Sequence, residues 1–258
     1  MQHLLSQLHA SKCPVLATVY LEQSNHFSAE DNEMGEDLVL LSLWSSPYVM
    51  RVKIALAEKQ VKYECIEENL SNKSSTLLQM NPVHKAVPVL IHKGKPICES
   101  LIVVQYVDET WPNTNPLLPL DPYARSQACF WADFVDKKIF DSAWKLLSTQ
   151  GEEKEDVKNK FIGYMTRMED LLGDKLFFGG EMKTNQNGSF GFLDLAFIPF
   201  YCWFYTMERY GGIVAEHEFP SIVSWAKRCM EKDTVSQALP SQDKVCEYFE
   251  ELRKKLFP

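Results

Sequence analysis

The sequence predicts an α+β domain over residues 37–111, a linker over 112–122 and an all-helical domain over 123–258. Three observations predict this division. A strand, a helix and a second strand follow one another within about 30 residues early in the first region, which is the pattern of a βαβ unit. Four prolines then fall between residues 110 and 122, where neither a helix nor a strand interior can continue. Beyond them, the apolar residues recur with helical periodicity only.

Residues 1–36 stand apart from this division. They contain no arginine and lack the charged start, compact apolar stretch and small-residue cleavage site of a secretion signal. Their second half is acidic and polar, which is typical of a flexible segment. We therefore expect a flexible N-terminal tail.

The composition excludes several kinds of partner. The formal net charge is -8 and no block is rich in lysine or arginine, so we expect neither a nucleic acid nor a membrane as the main partner. No apolar run approaches the ~18 residues of a transmembrane helix. The seven cysteines are widely spaced and include no C-x-x-C pair. We expect reduced thiols in a cytoplasmic protein, without a disulfide framework or a metal site.

The first strand and helix are predicted within residues 38–59. Residues 38–43 form a short apolar run bounded by turn residues, as in a buried strand. Ser46 is a good N-cap and Pro47 suits the first helical position, so this pair opens a helix. The helix over 47–59 carries its apolar residues mostly on one face. Its charged residues are expected to point outward, and these are Arg51, Lys53, Glu58 and Lys59.

A second strand and a second helix follow. Residues 61–67 alternate as a strand, which we expect to be parallel to the first with a right-handed crossover. The polar residues 71–74 then open a short helix that runs through Met80.

A hairpin and a closing helix complete the α+β domain. Apolar runs over 86–92 and 97–98 flank a Lys93-Gly94 turn and predict two antiparallel strands. Pro88 fits the start of a strand because proline cannot donate to the ladder. Ser100 follows at or near the N-terminus of the next helix.

The second domain is predicted to consist of helices over residues 123–149, 155–172, 192–210, 220–231 and 241–256, with a loop over 179–188. The third of these is almost wholly apolar, so it should be the central buried helix. Asp194 lies near its start, where a negative charge is favourable.

Ser46 is the first candidate for chemistry. Its hydroxyl would lie at a helix N-terminus, where an anion such as a thiolate is favoured. The same pattern is also that of an ordinary helix cap. The Ser-Pro pair alone leaves both interpretations open.

Several motifs in order resemble one protein family. They are the run from Trp44 to Val52, Asn72-Lys73-Ser74, Asn81-Pro82-Val83-His84-Lys85, Val87-Pro88-Val89-Leu90, Glu99-Ser100-Leu101 and Phe130-Trp131-Ala132-Asp133. Together they resemble the plant tau-class glutathione transferases over about residues 38–257. The resemblance implies an N-terminal thioredoxin-like βαβαββα domain that binds glutathione and a helical domain that contributes a hydrophobic substrate site.

The resemblance also implies roles for individual residues. Ser46 corresponds to the catalytic serine that hydrogen-bonds the glutathione sulfur and favours the thiolate. The implied glutathione-binding residues are Lys73, Val87, Pro88, Glu99 and Ser100. Lys73 would meet the glycine carboxylate, the Val87 backbone the cysteinyl part ahead of a cis Pro88, Glu99 the ammonium and Ser100 the carboxylate of the γ-glutamyl end.

The chain departs from the family pattern at Ala86, where the family has a lysine. Losing a cation at a partly exposed site costs about 0.5–1.5 kcal/mol, so we expect weaker glutathione binding with catalysis retained. The residues that fall where the family lines its hydrophobic substrate site are Tyr48, Phe140, Trp144, Leu147, Trp203, Tyr248 and Leu252. Aromatic residues at helical spacing more often belong to a core, and Leu147 and Trp203 fit both interpretations equally.

The function implied is that of a cytoplasmic, homodimeric glutathione transferase acting on hydrophobic electrophiles in detoxification and stress response. Glutathione is its co-substrate, and no permanently bound cofactor or metal is expected. One alternative is a non-catalytic or weakly catalytic carrier of amphipathic ligands. A thiol-exchange reductase is the other alternative, but that chemistry needs a cysteine where this chain has Ser46.

Overall fold

The computed structural model describes residues 37–112, 114, 116–179 and 189–256. The predicted tail over 1–36 lies outside the described residues, as does nearly all of the loop predicted over 179–188.

A four-stranded mixed sheet forms the centre of the first domain. Its strands are β1 (Leu38–Ser42), β2 (Glu64–Glu67), β3 (Val89–His92) and β4 (Lys95–Cys98), in the order β2-β1-β3-β4. β1 is parallel to β2, with Val39 opposite Glu64, and antiparallel to β3, which pairs with β4. The parallel pair and the hairpin are as predicted. β2 is shorter than predicted because pairing with β1 begins only at Glu64.

Three helices accompany the sheet: α1 (Pro47–Glu58), α2 (Ser75–Met80) and α3 (Ser100–Thr110). α1 packs against α3, and seven of its 12 residues are buried. Serine side chains cap α1 and α2, since Ser46 accepts the Val49 N–H and Ser74 accepts the Leu77 N–H. α2 therefore starts at the end of the predicted polar segment.

Two of the four charged residues predicted to point outward from this helix region are buried. Arg51 is 0% exposed, and Lys59, just after α1, forms a 2.6 Å ion pair with Asp108. Asp108 also accepts hydrogen bonds from the backbone N–H groups of Leu117 and Leu118. The prediction was wrong because an amphipathic pattern assumes that charges seek water, whereas each of these charges has a buried partner. The same contacts fix the Pro-rich connection against the first domain.

The second domain is helical throughout its described part. Its regular helices are α4 (Pro122–Phe134), α5 (Asp141–Ser148), α6 (Glu153–Leu172), α7 (Phe192–Phe197), α8 (Phe204–Thr206), α9 (Ala215–Glu218), α10 (Pro220–Met230), α11 (Asp233–Ser236) and α12 (Gln242–Leu256). None of the described helices is long and apolar enough to cross a membrane.

Two predicted helices are irregular. A π-helical segment, Val135–Phe140, joins α4 to α5 without a break in the chain direction. The predicted helix over 192–210 is buried as expected, but it is divided into α7, a 3-10 segment (Ile198–Trp203), α8 and a π-helical segment (Met207–Gly211). Pro199 explains the first division, because it has no N–H for the α-helical ladder.

Asp194 has a larger role than a helix-start charge. Its fully buried carboxylate accepts hydrogen bonds from the N–H groups of Phe178, Gly179 and Gly191 and from the Trp225 indole, at 2.7–3.0 Å. Burial raises the pKa of Asp194 to about 6, opposed by these four donors. One carboxylate thus joins α7, α10 and the chain before residue 180.

Candidate active site

The turn between β1 and α1 presents Ser46. The chain leaves β1 at Ser42, and the Ser46 N–H donates to the Leu43 carbonyl at 3.0 Å. Glu67 at the end of β2 holds this turn, accepting from the Ser42 hydroxyl at 2.6 Å and from the Trp44 N–H at 2.9 Å. The position of Ser46 is therefore fixed from both strands of the parallel pair.

The hydroxyl of Ser46 is free to donate a hydrogen bond to a ligand. Its oxygen accepts the Val49 N–H at 3.3 Å, and its own proton has no acceptor among the described residues. The side chain is nearly buried and lies at the N-terminus of the 12-residue helix α1, where the helix dipole favours a negative charge. An anion beside Ser46 would accept one hydrogen bond from the hydroxyl and would be stabilised by the helix dipole.

The second helix start is at Glu99 and Ser100. Ser100 is buried, and its hydroxyl oxygen accepts from the Arg51 guanidinium at 3.3 Å. Glu99 is exposed and has φ 69°, an uncommon conformation for a residue other than glycine. Its carboxylate lies 3.6 Å from Nε2 of His84. Strained backbone of this kind persists where the surrounding structure holds it, and it clusters at functional sites.

The predicted cis peptide bond between Val87 and Pro88 is confirmed. β3 begins only at Val89, and neither backbone polar group of Val87 is used in a hydrogen bond within the described chain. Asn81 fixes this segment by donating from its side chain to the Ala86 carbonyl at 3.0 Å. The Val87 backbone can therefore pair with an extended peptide.

Two lysines flank this edge of the site. Lys73 is half-buried immediately before the cap of α2, and Lys85 is exposed with φ 52°. Neither has an ion-pair partner among the residues that the structure describes. Ala86 is half-buried between Lys85 and Val87 and adds no charge.

The predicted hydrophobic substrate residues are only partly brought together. Tyr48 and Phe140 are in contact, with ring centroids 5.6 Å apart, and Tyr248 meets Trp44 edge to face at 5.4 Å. Trp203 is half-buried near Phe249, and its indole N–H has no partner in the described chain. Leu147 is 5% exposed within the core, and Trp144 packs against that core. Leu252 is half-buried. For all seven predicted residues, the substrate-site role stays a prediction.

The structure gives the chemical state of Tyr48 in α1 and of Cys98 in β4. Burial, with smaller contributions from nearby carboxylates, raises the pKa of Tyr48 to about 12. Burial and the adjacent Glu99 raise the pKa of the Cys98 thiol. Both groups therefore hold their protons at neutral pH. Within the described ranges, no group of three or more His, Cys, Asp or Glu residues could hold a metal ion.

Comparison with known proteins identifies the family. Residues 36–109 match the family described as "Glutathione S-transferase, N-terminal domain". The chain is 52% identical over 222 residues to "Probable glutathione S-transferase parC" of Nicotiana tabacum, covering 86% of this chain and 97% of that protein. It is also 52% identical to "Glutathione S-transferase 3" of Glycine max, over 86% and 99% of the two chains.

Two solved structures agree in both sequence and fold. Rice GST1 in complex with glutathione matches with a TM-score of 0.81 and 42% identity, over 86% of this chain and 98% of that chain. The mango enzyme described as a Tau class glutathione S-transferase matches with a TM-score of 0.77 and 41% identity, over 84% and 98%. The chain belongs to the plant tau-class glutathione transferases. The fold class is thus the thioredoxin-like domain followed by a helical domain, as the motifs implied.

Arg51 is the main residue supporting the candidate site that sequence reasoning missed in this transferase. Its guanidinium donates to the Ala196 carbonyl at 2.8 Å and forms a bidentate pair with Asp136 at 2.6 and 3.1 Å. It also lies 5.3 Å from the ring centre of Tyr48 and 5.2 Å from that of Phe140, within cation–π range. No sequence pattern pairs Arg51 with a residue 85 positions away.

Glu68 is a second residue near the candidate site of this tau-class transferase that sequence reasoning missed. It is buried, and it accepts from the Ser74 hydroxyl at 2.6 Å and from the Ser74 N–H at 3.3 Å. These bonds fix the start of α2 directly after Lys73. The available signal was two successive glutamates, Glu67 and Glu68, at the end of a strand. Successive side chains there point in opposite directions, so one of the two carboxylates is expected to point inward.

Proposed function

We propose that Ser46 donates a hydrogen bond to the sulfur of glutathione and holds it as the thiolate that attacks hydrophobic electrophiles. One observation carries this proposal: the Ser46 hydroxyl uses its oxygen as a helix cap and retains its proton for an outside acceptor. A donor aimed at the charged form lowers the pKa of a thiol from about 8.5 toward neutrality. The thiol proton goes to solvent, the sulfur forms a C–S bond, and the electrophile releases its leaving group.

We place the rest of glutathione along the edge from Ser46 to α3. The free backbone groups of Val87 pair with the cysteinyl residue ahead of the cis Pro88. Glu99 meets the γ-glutamyl ammonium, and Ser100 at the start of α3 meets its carboxylate. Lys73 is the cation for the glycine carboxylate.

We place the electrophile between the two domains, where the aromatic rings of Tyr48 and Phe140 are in contact. The remaining predicted lining residues are Trp144, Leu147, Trp203, Tyr248 and Leu252. Holding the acceptor beside the thiolate supplies proximity. In favourable cases proximity lowers the activation barrier by roughly 7 kcal/mol or more. The family resemblance adds that this transferase acts as a homodimer in the cytoplasm, in detoxification and stress response.

The thiol-exchange alternative is not supported by the geometry. Cys98 is the cysteine next to Glu99, but burial and that carboxylate raise the pKa of its thiol. Its Sγ also donates to the Met80 carbonyl at 3.7 Å. A protonated, half-buried thiol is a poor nucleophile.

The experiment compares wild type with Ser46→Ala in conjugation of glutathione to an aryl halide. The thiolate of bound glutathione is followed by ultraviolet absorbance across pH. Loss of one donor to a developing or existing anion costs roughly 10²–10³-fold in rate, and we expect the thiol pKa to return to its solution value. Ser45→Ala, at the neighbouring buried serine, is the matched control.

Loss of the cap also destabilises α1 by about 1 kcal/mol, so circular dichroism and urea unfolding accompany the kinetics. If Ser46→Ala is folded and turns over at the wild-type rate, the role of Ser46 is wrong. If folded wild type binds hydrophobic ligands without conjugating them, the carrier alternative replaces the proposed function.

A further inference from the structure

The loop between α2 and β3 brings a histidine to the proposed γ-glutamyl end of the site. Asn81 shapes this loop: its backbone carbonyl accepts the Lys85 N–H at 2.8 Å, and its buried side chain accepts the His84 N–H at 3.1 Å. The same side chain donates to the Ala86 carbonyl at 3.0 Å. One buried asparagine therefore positions both His84 and the segment that precedes the cis peptide bond.

Glu99 is the residue that this histidine meets. Nε2 of His84 lies 3.6 Å from a carboxylate oxygen of Glu99, and the two side chains are 34% and 57% exposed. The backbone of Glu99 is held at φ 69° where α3 starts, and that of Lys85, just after His84, is held at φ 52°. A separation of 3.6 Å is too long for a hydrogen bond from a neutral imidazole, whereas a protonated imidazole forms an ion pair at that distance. The strength of this contact therefore depends on the charge of His84.

The proposed ligand uses the same carboxylate. Glu99 is the acceptor that we place against the γ-glutamyl ammonium of glutathione. When His84 is protonated, the ammonium has to share Glu99 with a second cation, and the two cations repel each other. When His84 is neutral, Glu99 serves the ligand alone. A histidine side chain changes its charge between pH 5 and 8, so this competition falls within a physiological range.

Two further titratable groups interact with Glu99, and both stay neutral in this pH range. Burial and Glu99 itself raise the pKa of the Cys98 thiol in β4, and burial raises the pKa of Tyr48 in α1 to about 12. The cations of the neighbouring residues keep their charge throughout, and these are Lys85 and Arg51. Among the described residues around Glu99, the imidazole is therefore the group whose charge changes between pH 5 and 8.

We propose that His84 is a positioning residue that competes with glutathione for Glu99 when it is protonated, so that the transferase binds the γ-glutamyl ammonium more weakly at pH 5.5 than at pH 7.5. The inference rests on the proposed function, because Glu99 must be the carboxylate that meets the ammonium. Ligand binding and protonation then oppose each other, so glutathione that binds at intermediate pH displaces a proton from His84 to solvent. A fall in pH therefore lowers the occupancy of the site by glutathione.

The test measures the dissociation constant of S-methylglutathione by calorimetry at pH 5.5 and pH 7.5. This ligand keeps the ammonium but has no thiol, so ionisation of the sulfur does not enter. We expect the dissociation constant of wild type to rise by about two- to fivefold at the lower pH, the effect of one partly exposed ion pair. The desamino analogue, with a glutaryl group in place of γ-glutamyl, lacks the ammonium and should not show this rise. Comparing the two ligands removes any shared change, such as the effect of protonating the buried Asp194, whose pKa is about 6.

Two substitutions of the same residue have opposite expected effects. His84→Gln cannot be protonated, so its dissociation constant for S-methylglutathione should change with pH only as that of the desamino analogue does. His84→Lys carries a permanent charge, so its dissociation constant at pH 7.5 should already exceed that of His84→Gln by about two- to fivefold. His217→Gln removes an exposed histidine that lies 3.4 Å from Glu218, and this matched control should keep the pH dependence of wild type. Circular dichroism checks that each variant is folded.

The outcomes separate this inference from the function on which it depends. If wild type binds S-methylglutathione and its dissociation constant changes between the two pH values by the same factor as that of His84→Gln, the role of His84 is overturned and the proposed glutathione site stands. If folded wild type binds neither glutathione nor S-methylglutathione at pH 7.5, the proposed function fails and this inference fails with it.

Discussion

Two serines at helix starts show how small the difference is between a helix cap and the proposed catalytic group. Ser74 accepts the Leu77 N–H and donates its own proton to Glu68 at 2.6 Å. Ser46 accepts the Val49 N–H in the same way, but its proton has no acceptor in the described chain. The absence of a neighbouring carboxylate at Ser46 leaves its hydroxyl available to a ligand.

Ala86 gives a prediction at a single position. Ala86→Lys should tighten glutathione binding up to about tenfold, because it adds a cation beside the partly exposed site proposed for the glycine carboxylate. The dissociation constant measured by calorimetry at low salt checks this, with KM for glutathione as a second measure. Ala86→Gln adds similar length without charge and should leave both values near wild type. An unchanged dissociation constant in Ala86→Lys would exclude a carboxylate subsite here.

At the residue scale, the sequence predicts where residues lie in the backbone better than it predicts their hydrogen bonding or burial. The helix start at Ser100 followed from the local pattern, and the cis bond before Pro88 followed from the family resemblance. The free proton of Ser46 did not, because it depends on what lies across the turn. The burial of Arg51 likewise depends on partners that are distant in sequence.

At the scale of elements, α1 links the two domains through one side chain. Arg51 donates to the α7 carbonyl of Ala196 and to Asp136 in the π-helical segment, and it also reaches Ser100 at the start of α3. A buried guanidinium that donates hydrogen bonds to three elements fixes their relative positions.

Arg51→Met should therefore lower the free energy of unfolding by about 3 kcal/mol, because it leaves the Ala196 carbonyl and the partly buried Asp136 without their donor. It should also raise KM for glutathione, since Ser100 loses its neighbour. Urea unfolding and steady-state kinetics measure the two effects. Lys137→Met removes a cation whose ion pair with Asp133 is exposed, and it should cost less than about 0.5 kcal/mol. Equal stabilities of the two variants would contradict this account.

The elements themselves were mostly predictable, and the exceptions have identifiable causes. Pro199 was a visible sign that the helix over 192–210 could not be regular. The π-helical segment Val135–Phe140 has no such sign, since its residues suit an α-helix equally well. Its register is set by tertiary contacts, including the pair between Asp136 and Arg51.

At the scale of the whole molecule, buried thiols and phenols determine how stability depends on alkaline pH. Burial raises the pKa of Cys202 to about 12 and also raises that of Cys229. The folded chain therefore keeps protons that the unfolded chain loses above about pH 9, so this stabilisation is present below pH 9 and is lost as pH rises toward 12.

We expect the free energy of unfolding to fall between pH 9 and 11 by up to about 1.4 kcal/mol per pH unit for each such group. Urea unfolding across this range measures the slope. Cys229→Ala should make the slope shallower, whereas Cys65→Ala, at an exposed thiol, should not. A thiol reagent gives a second check, because Cys229 should react only at the rate of unfolding. The same slope in all three proteins would refute this assignment.

The division into two domains was also predictable, because prolines between residues 110 and 122 interrupt every regular pattern. How firmly the two parts are joined was not. The pair between Lys59 and Asp108 fixes the connection, and Arg51 crosses from one part to the other. Single charges on a helix give no indication that they serve such contacts.

The pair between Arg51 and Asp136 has a consequence for recombination. The Pro-rich connection would be the natural crossover point for chimaeras that combine the first part of one transferase with the helical part of another. Such a cut separates Arg51 from its carboxylate, so a chimaera inherits a working pair only when both parents place arginine and aspartate at these positions. Parents that differ there would give progeny in which an arginine is buried beside an uncharged residue. Matching this pair before crossing should therefore matter more than matching the residues of the connection itself.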